Sequence, residues 1–134
     1  LAARVGLQEY DTNRFEAQVA GLPAAERYPF GVGPGQYEQI APISAHSTYV
    51  RALAEEGVLG LLTVLALFTL TLGWAIRNAI AGRDSYGVGS AALLGAWCGI
   101  LVNGFVVDTL HWRHLWLVAA LVWVGSGRPR RRGL

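Results

Sequence analysis

Residues 46–60 read His-Ser-Thr-Tyr-Val-Arg-Ala-Leu-Ala-Glu-Glu-Gly-Val-Leu-Gly and put His46, Arg51, Glu55 and Glu56 just ahead of a long apolar run that begins at Val58. A histidine titrates near neutral pH and can take or give a proton there. Arginine's planar fork suits phosphate oxygens. A second cluster, Asp108-Thr-Leu-His111-Trp-Arg113-His114, gathers an acid, an arginine and two histidines within seven residues. His111 and His114 stand at i and i+3, a spacing that a metal can use, but no third ligand is evident. An Asp108–Arg113 pair tying two helix ends together fits better, and binding of an anionic lipid head group is the other reading.

The elements that would position these groups follow from local pattern. Ser44 or Ser47 can cap a helix starting near His46. On that helix His46, Val50, Leu53 and Gly57 share one face at spacings of three and four, a face that continues into the apolar run and points toward other helices. A partly solvated histidine at a helix start, with no chemical role, satisfies the same pattern. Upstream, Asn13 and Glu16 form a capping box for a helix that Pro23 interrupts. Residues 28–37, Tyr-Pro-Phe-Gly-Val-Gly-Pro-Gly-Gln-Tyr, demand turns. Such a loop can bring backbone N–H groups to a phosphate. With no strand before it and no P-loop lysine after it, a plain turn is the better reading.

Hydrophobic residues make up 53% of the 134, high for a soluble chain of this size, and they are unevenly placed. Residues 1–57 are polar, whereas most of the rest is apolar. The chain opens at Leu1 and contains no methionine, so it reads as the C-terminal piece of something longer. Its basic residues are all arginine, and its single cysteine, Cys98, lies in an apolar run and excludes an intrachain disulfide. Residues 58–76 carry no charge and are long enough to cross a hydrocarbon core of about 30 Å. Residues 88–107 form a second such run, interrupted by Asn103, and residues 114–127 a shorter third.

Charge then sets direction. Arg77 and Arg83 lie between the first two runs, and Arg128, Arg130, Arg131 and Arg132 follow the third, whereas the front segment holds four arginines against seven acids, a net of −3. Positive residues mark the cytoplasmic side. The expectation is an all-α polytopic membrane protein: residues 1–57 an exoplasmic (periplasmic), partly helical loop segment, 58–76 a transmembrane helix, 77–87 a cytoplasmic loop, 88–107 a transmembrane helix, 108–113 an exoplasmic turn, 114–127 a transmembrane helix and 128–134 a basic cytoplasmic tail. Gly95 and Gly99 make a small-xxx-small pattern for close helix approach, which Gly57 and Gly60 are expected to serve too. Asn103, at membrane depth, should face protein. Cys98 is a small apolar filler. Trp112, Trp116 and Trp123 are placed as interface anchors.

Taken together, these residues resemble the C-terminal part of the O-antigen ligase and polymerase (Wzy-type) superfamily of bacterial membrane proteins. Its signature there is His, then Asn, Ser or Gln, nine residues, then Gly-x-x-Gly. His46, Ser47, the nine residues 48–56 and Gly57-Val58-Leu59-Gly60 fit without a gap. Pro29-Phe30-Gly31-Val32-Gly33-Pro34-Gly35 looks like the loop common before that histidine, and Arg14 like the loop arginine preceding it. The resemblance covers residues 10–124. It departs from the pattern at Gln18, where related ligases often carry leucine, and in lacking the upstream helices.

The resemblance implies a GT-C-like, metal-independent glycosyltransferase of the bacterial inner membrane, without a cofactor and with no nucleic-acid partner. It would move a glycan from a polyprenyl-pyrophosphate carrier to a glycolipid, glycan or protein acceptor at the outer face of the bilayer. Such transfer needs a base for the acceptor hydroxyl and cations for the departing diphosphate. His46 is the expected base or acceptor-orienting group. Arg14, with Arg51 or Arg113, is expected near the pyrophosphate, and Ser47, Asp108, His111 and His114 in support. A transporter, as some relatives were once described, and an inert fragment are the competing readings. No internal repeat is visible, and the polar residues gather at one face instead of the midplane, which favours lipid-linked chemistry.

Overall fold

The computed structural model describes residues 26–37 and 47–127. Among them are three helices and one hairpin: α1 (Thr48–Ile80), β1 (Asp84–Ser85), β2 (Val88–Gly89), α2 (Ser90–Asn103) and α3 (Arg113–Gly127). The expected helix after Asn13 and the arginine tail lie outside the described residues. Chain contacts divide the molecule into two compact units, Leu1–Val64 with Phe105–Asp108, and Leu65–Gly104 with Thr109–Leu134.

α1 is the element that carries the first apolar run, and it begins ten residues before that run. Gly57 interrupts its 33 residues, and the part from residue 58 to residue 80 would by itself reach about 35 Å at 1.5 Å per residue. This is the one helix among the described residues long and apolar enough to cross a membrane. Its buried positions Val64, Phe68, Thr71, Ala75 and Asn78 recur at alternating spacings of four and three, a single stripe. Leu59, Leu62, Leu65, Leu70 and Ile76 lie off that stripe and are exposed. A soluble core helix would bury such leucines, whereas a bilayer accepts them as they stand.

The other two apolar runs form shorter helices than their composition suggests. α2 has 14 residues and α3 has 15, about 21 and 22 Å against a hydrocarbon core of about 30 Å. The expected 88–107 run loses its first two residues to the hairpin and its last four to the chain beyond Asn103. The hairpin has a local cause. Tyr86 (φ 52) and Gly87 (φ 83) both take positive φ, the two-residue turn that matches strand twist, and Asp84 pairs with Gly89 and Ser85 with Val88.

The second unit is knitted together by polar groups satisfied at main-chain carbonyls. Asn78 Nδ2 donates to Val122 O (2.9 Å), Ser85 Oγ to Leu121 O (2.7 Å) and Ser90 Oγ to Asn78 O (3.1 Å). Ala75, Leu93 and Val122 pack as its core. Trp97 lies edge-on to Phe68 at 5.6 Å between ring centroids and donates Nε1 to Phe68 O at 3.3 Å. Trp123 donates to Thr71 Oγ1 (3.0 Å) and Trp116, half-exposed, to Leu110 O (2.9 Å). Beyond the backbone of its own helix, no described atom comes within 4 Å of the Cβ position at Gly95 or Gly99, so the close helix approach expected there is not made within the described residues. Cys98 is exposed instead of filling a core.

Candidate functional site

Several of the residues marked by their chemistry come together in the first unit, at the start of α1. Ser47 is buried and immediately precedes the helix, and its carbonyl accepts the Arg51 amide at 2.9 Å. Thr48, also buried, donates Oγ1 to Val107 O at 3.1 Å, while the Tyr49 ring lies 4.7 Å from that of Phe105. These contacts hold residues 105–108 against the first turn of α1.

About two and a half turns after its start the helix is broken at a glycine. Gly57 takes φ 71, ψ −167, a conformation essentially reserved for glycine. In an unbroken helix the carbonyls of Ala54 and Glu55 would accept from Val58 and Leu59. Here Val32 N–H donates to Ala54 O and Gly33 N–H to Glu55 O, both at 2.9 Å, and Val58 N–H turns to Pro29 O at 3.2 Å. The Gly-rich loop thus supplies partners for Ala54 O, Glu55 O and Val58 N–H where the helical bonds are missing.

The same exchange accounts for the glycines on both sides. A Cβ on Gly57 would run into Pro29 O, Phe30 C and Gly31 N, and one on Gly31 into the main chain of Glu55 and Glu56. A Cβ on Gly60 would collide with the Glu56 side chain. Gly57 and Gly60 were expected to admit another helix. What presses on them is the 29–31 backbone and the helix's own Glu56, because the break at residue 57 draws those groups in.

The loop is an anion-binding nest, and its anion is a side chain of the protein. Glu55, 7% exposed, accepts the Gly35 amide on Oε2 (3.0 Å) and the Tyr37 amide on Oε1 (3.3 Å). Arg51 Nε donates to the same Oε1 at 3.1 Å, and Arg51 Nη1 reaches Asp108 Oδ2 at 3.2 Å. Tyr37 is fully buried against Ala54 and Val50, and burial raises its phenol above the ordinary 10.0. So residues 28–37 are more than a plain turn, and the N–H groups of Gly35 and Tyr37 serve Glu55.

This geometry reassigns two expected roles. Arg51, expected beside a pyrophosphate, has two of its nitrogens on carboxylates, so its charge is already matched inside the unit. Asp108 has Arg51 as its partner instead of Arg113, because residues 105–108 fold back onto the first turn of α1. Arg113 and His114 are exposed and belong to the second unit, as does His111, and the Trp112 and His114 rings lie 4.7 Å apart. Arg113 pairs with no acid among the described residues. Among those residues no three His, Cys, Asp or Glu side chains gather as a metal-binding group. His46 and Arg14 lie outside the described residues.

Sequence reasoning missed Glu55 as the hub. The signal was present: Arg51 and Glu55 stand at i and i+4, and an acid two residues before a glycine that breaks a helix has loop amides within reach. Compared with known proteins, the chain matches no family model, no curated protein and no solved structure.

Proposed function

We propose that this chain is the C-terminal part of a multi-pass, O-antigen ligase-like glycosyltransferase of the bacterial inner membrane. One observation carries the reading. The two stretches on which the resemblance rests, residues 29–35 and the signature that ends in Gly57-x-x-Gly60, are physical partners: Val58 N–H donates to Pro29 O, and Val32 and Gly33 N–H donate to Ala54 O and Glu55 O just ahead of Gly57. Twenty-odd residues separate them in sequence, and nothing in composition requires them to meet.

In this reading α1 crosses the bilayer, α2 and α3 complete two further passes with the chain flanking them, and the arginine-rich tail is cytoplasmic. The loop and the start of α1 then face the exoplasmic side, where a polyprenyl-pyrophosphate-linked glycan and its acceptor meet. His46, one residue before the buried Ser47, takes the proton of the acceptor hydroxyl. That oxygen bonds to the anomeric carbon as the bond from this carbon to the diphosphate oxygen breaks, and the electron pair leaves on the polyprenyl diphosphate. Arg14 supplies positive charge to that leaving group. Arg51, held by Glu55 and Asp108, positions the start of α1, two residues beyond His46 in the chain.

The test is His46→Ala in the full-length protein, with transfer from a lipid-linked glycan assayed in membranes at matched expression. Loss of transfer is the expected result. Near-normal transfer would remove His46 from the mechanism, and substrate uptake into vesicles without any transfer would favour a transporter instead.

A further inference from the structure

Phe30 is 81% exposed at the tip of the Gly-rich loop, and Tyr28 beside it is half-exposed. Loop tips are ordinarily polar, because an exposed aromatic gains nothing from water. The bond from Val58 N–H to Pro29 O fixes the height of this tip along α1. It stands level with the start of the apolar run, on a helix whose Val58, Leu59 and Leu62 are likewise exposed. The aromatic tip and these side chains belong to one compact unit.

We infer that the tip of this loop, Phe30 with Tyr28, inserts into the outer interfacial layer of the bilayer and anchors the site at membrane level. The inference rests on the reading of α1 as a membrane span. Backbone bonding supplies a second, independent argument. Irregular chain enters a low-dielectric layer only if its N–H groups are already satisfied. Gly31, Val32, Gly33, Gly35, Gln36 and Tyr37 all donate inside the unit, and Pro29 and Pro34 have no N–H to satisfy, which leaves the Phe30 amide to the hydrated headgroup layer. The polar neighbours set the depth. Glu26, Arg27 and Glu56 are exposed, and Glu56 lies along Gly60, so the tip rests at the headgroup–acyl boundary and not below it. Tyr28, with an apolar ring and a polar hydroxyl, suits that boundary.

The experiment uses the full-length protein with every native cysteine, Cys98 among them, replaced by alanine and one cysteine added, labelled with an environment-sensitive fluorophore and reconstituted in phosphatidylcholine vesicles. Phe30→Cys reports the tip, Glu26→Cys the aqueous side of the loop and Leu62→Cys the span. Expected for Phe30→Cys is a blue-shifted emission quenched more strongly by lipid nitroxides near the headgroup than by aqueous iodide. Glu26→Cys should show the reverse preference, and Leu62→Cys quenching by deeper nitroxides. Iodide quenching at residue 30 equal to that at residue 26, with residue 62 still lipid-quenched, would overturn the inference and leave the span intact. Iodide quenching at both 30 and 62 would remove the span as well. A blue shift at residue 30 that neither quencher reaches would assign the tip to a protein contact and also overturn the inference.

Discussion

The amide of Val58 donates to the carbonyl of Pro29, 3.2 Å away, and not to Ala54 four residues earlier in its own helix. Ala54 in turn accepts from Val32. This exchange is a reciprocal splice: the loop repairs the helix where Gly57 breaks it, and the helix supplies the carbonyls that hold the loop. Neither partner is stable in this form alone, because each would leave main-chain groups unpaired, at about 1–3 kcal/mol for each buried one.

Glycine should be replaceable in the loop only where there is room. Gly57→Ala and Gly31→Ala combine a positive φ with a clash against main chain, and each should lower unfolding stability by roughly 2–4 kcal/mol. Gly35→Ala has positive φ but open space around its Cβ, and should cost only about 1 kcal/mol. Denaturant unfolding in detergent gives the comparison. Equal effects at all three positions would contradict the splice.

Glu55 ties the loop to the helix by accepting the amides of Gly35 and Tyr37. Glu55→Ala leaves the Gly35 and Tyr37 amides without their acceptor and Arg51 without one of its two acids, at a cost of roughly 3–5 kcal/mol. Glu55→Gln keeps an acceptor oxygen and should fall between wild type and alanine. Proteolysis of the 29–37 loop should accelerate in the same order. A Glu55→Gln variant as protease-sensitive as Glu55→Ala would mean that charge, not hydrogen-bond geometry, holds the loop.

Arg51 and Asp108 lie far apart in sequence, and their bond joins the Thr48–Val107 and Tyr49–Phe105 contacts in holding residues 105–108 at the start of α1. A double-mutant cycle with Arg51→Gln and Asp108→Asn should give a coupling of roughly 1–3 kcal/mol, above the 0.2–1 kcal/mol or so typical of exposed pairs. Arg51→Lys should not restore it, since an ammonium lacks the fork that reaches Glu55 and Asp108 together. Coupling near zero would reduce the pair to a surface contact.

The long apolar helix was legible because nineteen uncharged residues leave a chain few alternatives. Its true start at Thr48 was legible in outline from serine capping. The shortening of the second run was not, because hydropathy does not register the Tyr86-Gly87 turn or the end of helix at Asn103. In the site, the glycines and the acid were visible as types, but their roles were not. A spacing rule assigns Gly57 and Gly60 to helix packing, and only the φ of Gly57 shows that it breaks the helix. Likewise Asp108 and Arg113 are neighbours in sequence, while the partner that holds Asp108 is more than fifty residues away.

Tyr37 supplies a pH test of the site's integrity. Burial lifts its folded-state pKa above 10.0, because the phenolate is penalised by desolvation more than the phenol. A raised folded value means that the folded chain resists releasing a proton that the unfolded chain gives up near 10.0. The associated stability is therefore fully present below that pH and is lost as pH climbs through the folded value. Wild type should destabilise progressively above pH 10.0, and Tyr37→Phe should show a shallower decline over the same range. The measurement is the denaturation midpoint against pH for both proteins, with tyrosinate absorbance followed in parallel. Identical alkaline slopes would mean that Tyr37 ionises freely while folded, which a fully buried ring beneath the loop does not allow.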